Sequence, residues 1–460
     1  MLRQHALIIG LIIAVTIHAY DELVLAIAMP SITEELDGFE WYGLAFASYL
    51  LTTLIGVVWA GQDTDQRGPL RVFLVGYFAF GIGLLLAGFA QSMEALMLGR
   101  ALQGLGGGIS WTVAFASINL AYEPLQRPKM IAILDIAWIV PSLLAPIVGG
   151  YFVEYLNWRW IFLSQIPLLV VASILLYPQL KKLNKQESEQ PNEPLKRMHA
   201  AVYLAALCAL VLYISNQALS WQWLLLAAGL ILMRKPFLIL MPQGFSKLSN
   251  ILALVLLVHG MVFICFYGME IFLPIATTKL HGMDAVDTGF LIGAGAITWC
   301  IASFSQARIS RHFAASTSLR VGFGLFLLGI ALFISTNYFP ESSDADNTSA
   351  SLIVILYLAM MTSSFGTGMA FNTCVSAAML NTEQGSEGAT STSLGIISSL
   401  SIGLISGLGG AILNFGERQE FTISSSLTMI WLLAAVCAAL VCTILTQRLK
   451  EFERRADPTK

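Results

Sequence analysis

Long apolar runs alternate with short polar segments along the chain, and each run is long enough to matter to a membrane. A helix of about 18 or more apolar residues crosses a ~30 Å hydrocarbon core. On that basis the pattern predicts six spans at 6–32, 41–62, 71–91, 95–121, 129–153 and 157–177. The charged segment PQLKKLNKQESEQPNEPLKRM follows, with the composition of a linker and no apolar period. Two further runs lie at 199–218 and 221–241, the second interrupted by Arg234, Lys235 and Pro236. Six more fall at 250–277, 286–306, 318–337, 350–376, 388–414 and 426–447. All are expected to be helical, because lipid leaves no partner for unpaired backbone groups.

Composition agrees with this pattern. Hydrophobic residues make up 57% of the 460 and charged residues 12%, where a soluble domain is roughly a quarter charged. The first run is too long for a signal peptide and contains Asp21 and Glu22. Basic residues such as Arg3, Arg67, Arg71, Arg127, Lys181, Lys182, Arg308 and Arg320 fall on one side of the spans; acids such as Glu34, Glu35 and Asp37 gather on the other. The positive-inside rule then places both termini in the cytoplasm. Dropping the central pair of runs preserves that pattern, so twelve spans satisfy it as well; fourteen is the expectation. The six cysteines fall inside the runs without ligand spacing and are expected to pack as small apolar residues, with no disulfide frame, metal site or cofactor.

Several polar residues sit at depths where an apolar helix has no use for them. In HAYDELVLAIAMP, His18 lies one helical turn before both Asp21 and Glu22. Arg100, Gln103, Gly104, Gly107 and Trp111 share a stripe of the fourth run, and Asp135, Trp138, Ser142, Pro146 and Gly149 share a face of the fifth. His259, Phe263, Phe266, Tyr267, Glu270 and Pro274 form a stripe on the run from 250. An ionisable group at membrane depth is costly unless paired or hydrated, so each is a functional candidate. Burial disfavours a carboxylate's charged form and a nearby guanidinium favours it, so an altered balance links proton uptake to motion. The competing readings are structural. Asp21 and Glu22 fix helix packing, Arg100 serves as an ion-pair partner, the aromatic residues fill interfaces, and His259 is a satisfied packing residue. The glycine runs at 104–108 and 403–410 permit close helix contact and do not cradle phosphate.

The turn GQDTDQRGPLR, with Gly61, Asp65, Gly68 and Arg71, resembles the cytoplasmic gating signature of the major facilitator superfamily, although Gln66 and Pro69 stand where that family usually has basic residues. LGRALQGLGGG is similar to the family's Arg-Gln-Gly pattern. PSLLAPIVGG, with Pro146, Gly149 and Gly150, is similar to its antiporter helix-packing signature, with Ala145 in place of the usual glycine. DELVLAIAMP resembles the first span of the fourteen-span drug:proton antiporters at Asp21 and Pro30, while Leu23 and Ala26 replace polar residues.

The resemblance implies an all-α integral membrane protein of the major facilitator fold, with two six-helix bundles around a central cavity and two extra central helices. The bounds expected are 1–177 for the N-terminal bundle, 178–198 for a cytoplasmic linker and 199–241 for the extra helices. The C-terminal bundle would take 242–447 and a cytoplasmic tail 448–460. It further implies a secondary transporter, not an enzyme, that exports small amphipathic or cationic compounds in exchange for protons. Asp21, Glu22, Arg100, Asp135 and Glu270 are the expected proton-coupling residues. His18, Gln103, Trp111, Trp138, Ser142, Phe266 and Tyr267 would line the substrate cavity. The expected partners are substrate, protons and the lipid bilayer, with no nucleic acid, in a monomer in the plasma membrane of a bacterial cell. A proton symporter or facilitator importing a metabolite is the first alternative, and a polytopic receptor or sensor the second.

Overall fold

The computed structural model describes residues 2–123, 127–183, 194–215, 222–242, 244–309, 313–336, 350–382 and 387–456. Every regular element among them is helical. The chain divides into two compact units, Met1–Phe237 and Leu238–Lys460.

The first unit contains α1 (Leu2–Glu35), α2 (Tyr42–Arg67), α3 (Pro69–Gly88), α4 (Met93–Ala121) and α5 (Arg127–Tyr155). The short α6 (Trp160–Leu163) follows, then α7 (Gln165–Leu183), α8 (Pro194–Ser215) and α9 (Gln222–Leu240), in whose last turn the division falls. The second contains α10 (Ile251–Glu270), the short α11 (Leu273–Ile275), α12 (Ala285–Ile309), α13 (Ala315–Thr336), α14 (Ala350–Leu380), α15 (Glu387–Arg418), α16 (Ile423–Leu440) and α17 (Thr446–Ala456). Helix occupies most of the described residues of each predicted run. Among the described residues, eleven helices are long and apolar enough to cross a membrane.

Helix ends follow local chemistry. Ser92 caps α4 by accepting from the Ala95 amide, and Asn250 caps α10 by accepting from the Ala253 amide at 2.8 Å. Between α2 and α3 the chain reverses through Gly68, at φ 87° and ψ 171°, and Pro69 opens α3 where its missing N–H costs nothing.

Helix continues into two segments that carry no apolar run and across the polar interruption of a third. Helix α7 continues through Pro178 to Leu183, and α8 begins at Pro194, so both ends of the segment expected as linker are helical. Lys181 and Lys182 in the last turn of α7 complement its negative end. Helix α9 runs unbroken past Arg234, Lys235 and Pro236. The expected tail is helical to Ala456: α17 buries Leu449, and Glu453 accepts from the Ser316 amide at 3.1 Å and from its hydroxyl at 2.5 Å. An amphipathic helix of mixed charge carries no apolar run, which is why a pattern of spans overlooks it.

Glycines set the closest helix contacts. Helix α4 places Gly104 and Gly108 against the α2 backbone at Tyr49 and Thr53, Gly106 against α3 at Gly76, and Gly107 against His18 of α1. A Cβ on Gly83 would stand 2.7 Å from Gly99 O and from Gln103. The seam between α13 and α14 repeats this arrangement. Gly329 meets Ala359 and Ser363 as Gly83 meets Gly99 and Gln103, while Gly322 and Gly366 meet as Gly76 and Gly106 do. The matching intervals along both pairs of helices mark the two units as internal repeats. They align Gln103 with Ser363 and Arg100 with Met360.

Helices α8 and α9, which follow the first six predicted spans, belong mostly to the first unit. Helix α8 lies along α2, with Trp41 and Tyr213 stacked at 6.5 Å. Gly229 of α9 receives Val211 of α8, and Met233 lies against Cys208.

Candidate functional site

Three helices of the first unit bring four polar side chains together in an otherwise apolar interior. Arg100 of α4 donates from Nη1 to Asp21 Oδ2 of α1 at 2.6 Å and to its own neighbour Gln103 Oε1 at 3.1 Å. Asp21 Oδ1 accepts from Gln103 Nε2 at 3.1 Å and from Gln165 Nε2 of α7 at 3.0 Å. Gln165 also donates to the Ile161 carbonyl at 2.9 Å, which fixes the direction of its amide. Asp21 and Gln103 are 0% exposed, and Arg100 and Gln165 are 1% exposed. The carboxylate thus has both oxygens satisfied, which a charge in this setting requires.

The arginine is held from a second side. Its guanidinium carbon stands 4.2 Å from the centroid of the Tyr49 ring of α2. The Tyr49 hydroxyl bonds His18 Nδ1, and His18 Nε2 lies 3.9 Å from Glu22 Oε2. Glu22 is less deeply buried than Asp21, so a chain of polar groups runs from it through His18 and Tyr49 to the ion pair. Two atoms of the cluster, Arg100 Nε and Gln165 Oε1, have no hydrogen-bond partner. A network satisfied at its centre and open at its edges is sensitive to small displacements.

Membrane depth puts Asp21 and Arg100 at one level and makes them a plausible pair; Gln165 and Tyr49 were not singled out. Gln165 lies within the run predicted at 157–177, and its amide there was the available signal. Gln103 and His18, expected in the substrate cavity, lie in and beside the ion-pair network.

At the turn between α2 and α3, Asp63 binds Arg67 at 2.8 Å and Arg71 at 3.5 Å, and its side chain is 7% exposed. Asp63 precedes Arg67 by one helical turn, the spacing at which such pairs meet. Gly61 has open space around it, Gly68 supplies the turn, and the side chain of the motif's Asp65 lies outside the described ones. At the opposite ends of the helices, Glu35 of α1 accepts from Trp158 Nε1 and Arg159 Nη1, each at 2.6 Å. Arg159 also donates to the Ala90 carbonyl at 2.9 Å, so one guanidinium ties together α1 and the segments after α3 and α5.

Aromatic side chains meet in the second unit. On α10, Phe263 stacks on Tyr267 at 5.9 Å, and Phe266 meets Tyr267 at 5.3 Å. Trp299 of α12 reaches Phe266 at 4.7 Å and Phe371 of α14 at 5.6 Å. His259 packs against Phe263 and Phe371 and bonds Ser398 of α15. Glu270 is buried at the end of α10. Phe266 and Tyr267 were expected to share a face; Trp299 and Phe371 were not singled out, because isolated rings in apolar runs carry no signal.

Trp111 is half-buried and packs against Phe115 at 4.8 Å. Gly149 receives Val24 of α1, and Gly150 is buried beside it. The side chains of Asp135, Trp138, Ser142 and Pro146 on α5 lie outside the described ones. Among the described residues, no three His, Cys, Asp or Glu side chains group as metal ligands.

Two solved structures share this fold. A peptide transporter POT in complex with sulfate superposes with a TM-score of 0.71 at 14% identity, covering 97% of this chain and 95% of its own. A D-xylose-proton symporter gives 0.67 at 13% identity, covering 95% and 97%. The all-helical fold of this chain is thus the one these two transporters share.

The chain belongs to the Major Facilitator Superfamily, whose sequence profile matches residues 11–406. It is 24% identical over 394 residues to Multidrug resistance protein 3 of Bacillus subtilis (strain 168), covering 82% of this chain and 73% of the relative. It is 22% identical over 336 residues to the Multidrug efflux pump SdrM of Staphylococcus aureus (strain N315), covering 71% and 74%.

Proposed function

We propose that this transporter exports small amphipathic organic compounds, cations among them, in exchange for protons, from a bacterial cell whose plasma membrane it spans as a monomer with both termini inside. The observation that carries the reading is the buried Asp21–Arg100 pair with its two glutamine partners. A proton on Asp21 cancels its charge and leaves Arg100 without a counter-ion, which favours a rearrangement of α1 against α4 and α7. Asp21 then carries the exchanged proton and Arg100 tunes its release. Glu22 is the entry group, and Asp135 and Glu270 are further proton or substrate groups.

Alternating access between two six-helix bundles, 1–177 and 242–447, would couple that proton to cargo, with 178–198 as linker, 199–241 as added helices and 448–460 as tail. The cargo path would include His18, Gln103, Trp111, Trp138, Ser142, Phe266 and Tyr267, where aromatic faces and acids suit an amphipathic cation. The turn with Gly61, Asp65, Gly68 and Arg71 would gate the inner side. The names of the bacterial relatives and the Pro146–Gly150 signature support export over import.

Everted vesicles test this directly. Acidifying the lumen should drive uptake of an exported dye, and Asp21→Asn should abolish that drive while leaving the protein in the membrane. Uptake that persists after the proton gradient is collapsed would refute the coupling. Accumulation in intact cells in place of extrusion would favour the importer.

A further inference from the structure

We infer that the aromatic panel of the second unit is a binding site for planar organic cations that carry an N–H group, and that His259 is its hydrogen-bond acceptor. The inference rests on the reading that the protein carries organic cations, and names the residues that recognise them.

The protonation state of His259 follows from its neighbour. The Ser398 hydroxyl has one proton, which the proposal assigns to the Leu394 carbonyl, the shorter of its two contacts at 2.8 Å. Its contact with His259 Nε2 at 3.0 Å therefore has the ring as donor. The imidazole is the Nε2–H tautomer, and Nδ1 carries a lone pair. That nitrogen is buried and has no partner, in a side chain 2% exposed. Buried polar atoms of this kind are rare in folded proteins and call for an explanation.

The surroundings suit a cation. His259 packs edge-on to Phe263 at 5.0 Å and beside Phe371 at 5.5 Å; Trp299 lies next to Phe371, and Tyr267 extends the stack from Phe263. These four rings are only half-buried, whereas the histidine among them is 2% exposed. Ring faces attract cations, and among them the Nδ1 lone pair can accept from a protonated nitrogen. The geometry has its own supports. Gly260 brings α15 close enough to place Ser398 beside His259, and Gly368 lets α14 lie on the α12 backbone at Trp299. A ring shift that uncovers Nδ1 would complete the site.

The test compares two dyes that differ at one atom. Protonated acridine orange has a ring N–H, and 10-methylacridine orange has N–CH3 at the same place; both are planar cations. Affinities are measured by fluorescence titration of the purified full-length protein. The wild type should prefer the N–H dye by on the order of tenfold. His259→Phe should bring the two affinities within about twofold of each other by removing that one bond, while binding of the methylated dye persists and reports a folded protein. His259→Gln, which keeps an acceptor, should restore part of the preference. Should His259→Phe fail to accumulate, Ser398→Ala makes the same test, since it releases the tautomer and should erode the preference. Equal affinities in the wild type, no binding of either dye, or a preference that survives loss of His259 would overturn the inference. Because binding needs no proton gradient, a failure of proton coupling leaves this result intact, and a failure here leaves coupling untouched.

Discussion

Ser363 Oγ lies 3.1 Å from Met269 Sδ in the second unit, at the place where Gln103 meets Asp21 in the first. The correspondence extends outward. Met360 takes the position of Arg100 and packs against Gly295, as Arg100 packs against Tyr49. One scaffold is thus filled twice, once with an ion pair and its amide partners and once with two methionines, a serine and a glycine. The seams of α3 on α4 and α13 on α14 are the same, so the ionic filling is not required to form them.

That contrast gives the first prediction. Asp21→Ala or Arg100→Ala alone should destabilise the protein by about 3–5 kcal/mol, because each strands a buried charge. Replacing both with methionine, after the pattern of the second unit, should recover most of the loss and still abolish proton-driven efflux. Thermal unfolding of the two singles and the double in detergent measures the coupling; strictly additive losses would show that the side chains do not act as a pair.

The glycines of α2 and α4 should separate cleanly. Gly104→Ala pushes a Cβ into the α2 backbone at Tyr49 and should cost about 1–3 kcal/mol. Gly61→Ala meets nothing within 4 Å and should leave stability unchanged or raise it by up to about 1 kcal/mol through helix propensity. Melting temperatures of the two variants decide it, and equal losses would contradict the packing described.

Gly68→Ala should lower stability by roughly 1–3 kcal/mol, since φ 87° with ψ 171° is a backbone region almost confined to glycine. Gly324, with open space and no such φ, is the control. Limited proteolysis at the turn between α2 and α3 should quicken in the first variant and stay unchanged in the second.

Glu453→Ala should fray the first turn of α13 by removing its distant cap, at a cost of about 1 kcal/mol. Hydrogen exchange of the amides near Ser316 is the readout. Protection lost there, with the rest of α13 intact, would establish that the final helix stabilises an earlier one.

The helices and the meeting of Asp21 with Arg100 were legible because apolar runs and membrane depth are one-dimensional quantities. Gln165 was not, since an amide within an apolar run is unremarkable until α7 is laid beside α1. Tyr49 escaped notice for a similar reason: its ring becomes a cation's neighbour only across a helix pair. At the α2–α3 turn the family resemblance drew attention to Asp65, whereas the spacing from Asp63 to Arg67 already spelled a local ion pair. The helical ends of the central segment and of the tail lack apolar runs altogether. Duplication of the α3–α4 seam was present in the spacing of Gly76 and Gly83 against Gly322 and Gly329, but small residues in apolar runs are too common to announce it.

No surface of Asp21 touches solvent, so a proton cannot reach it by diffusion through bulk water. In the proposed cycle a proton that does not come by way of Glu22 waits on helices parting, an event of microseconds to seconds for collective motions of this kind. As the proposed proton carrier, the carboxylate would work as a clock as much as a charge. Turnover driven through it would inherit the frequency at which α1, α4 and α7 breathe apart, and stiffening that junction would slow the cycle without touching a ligand.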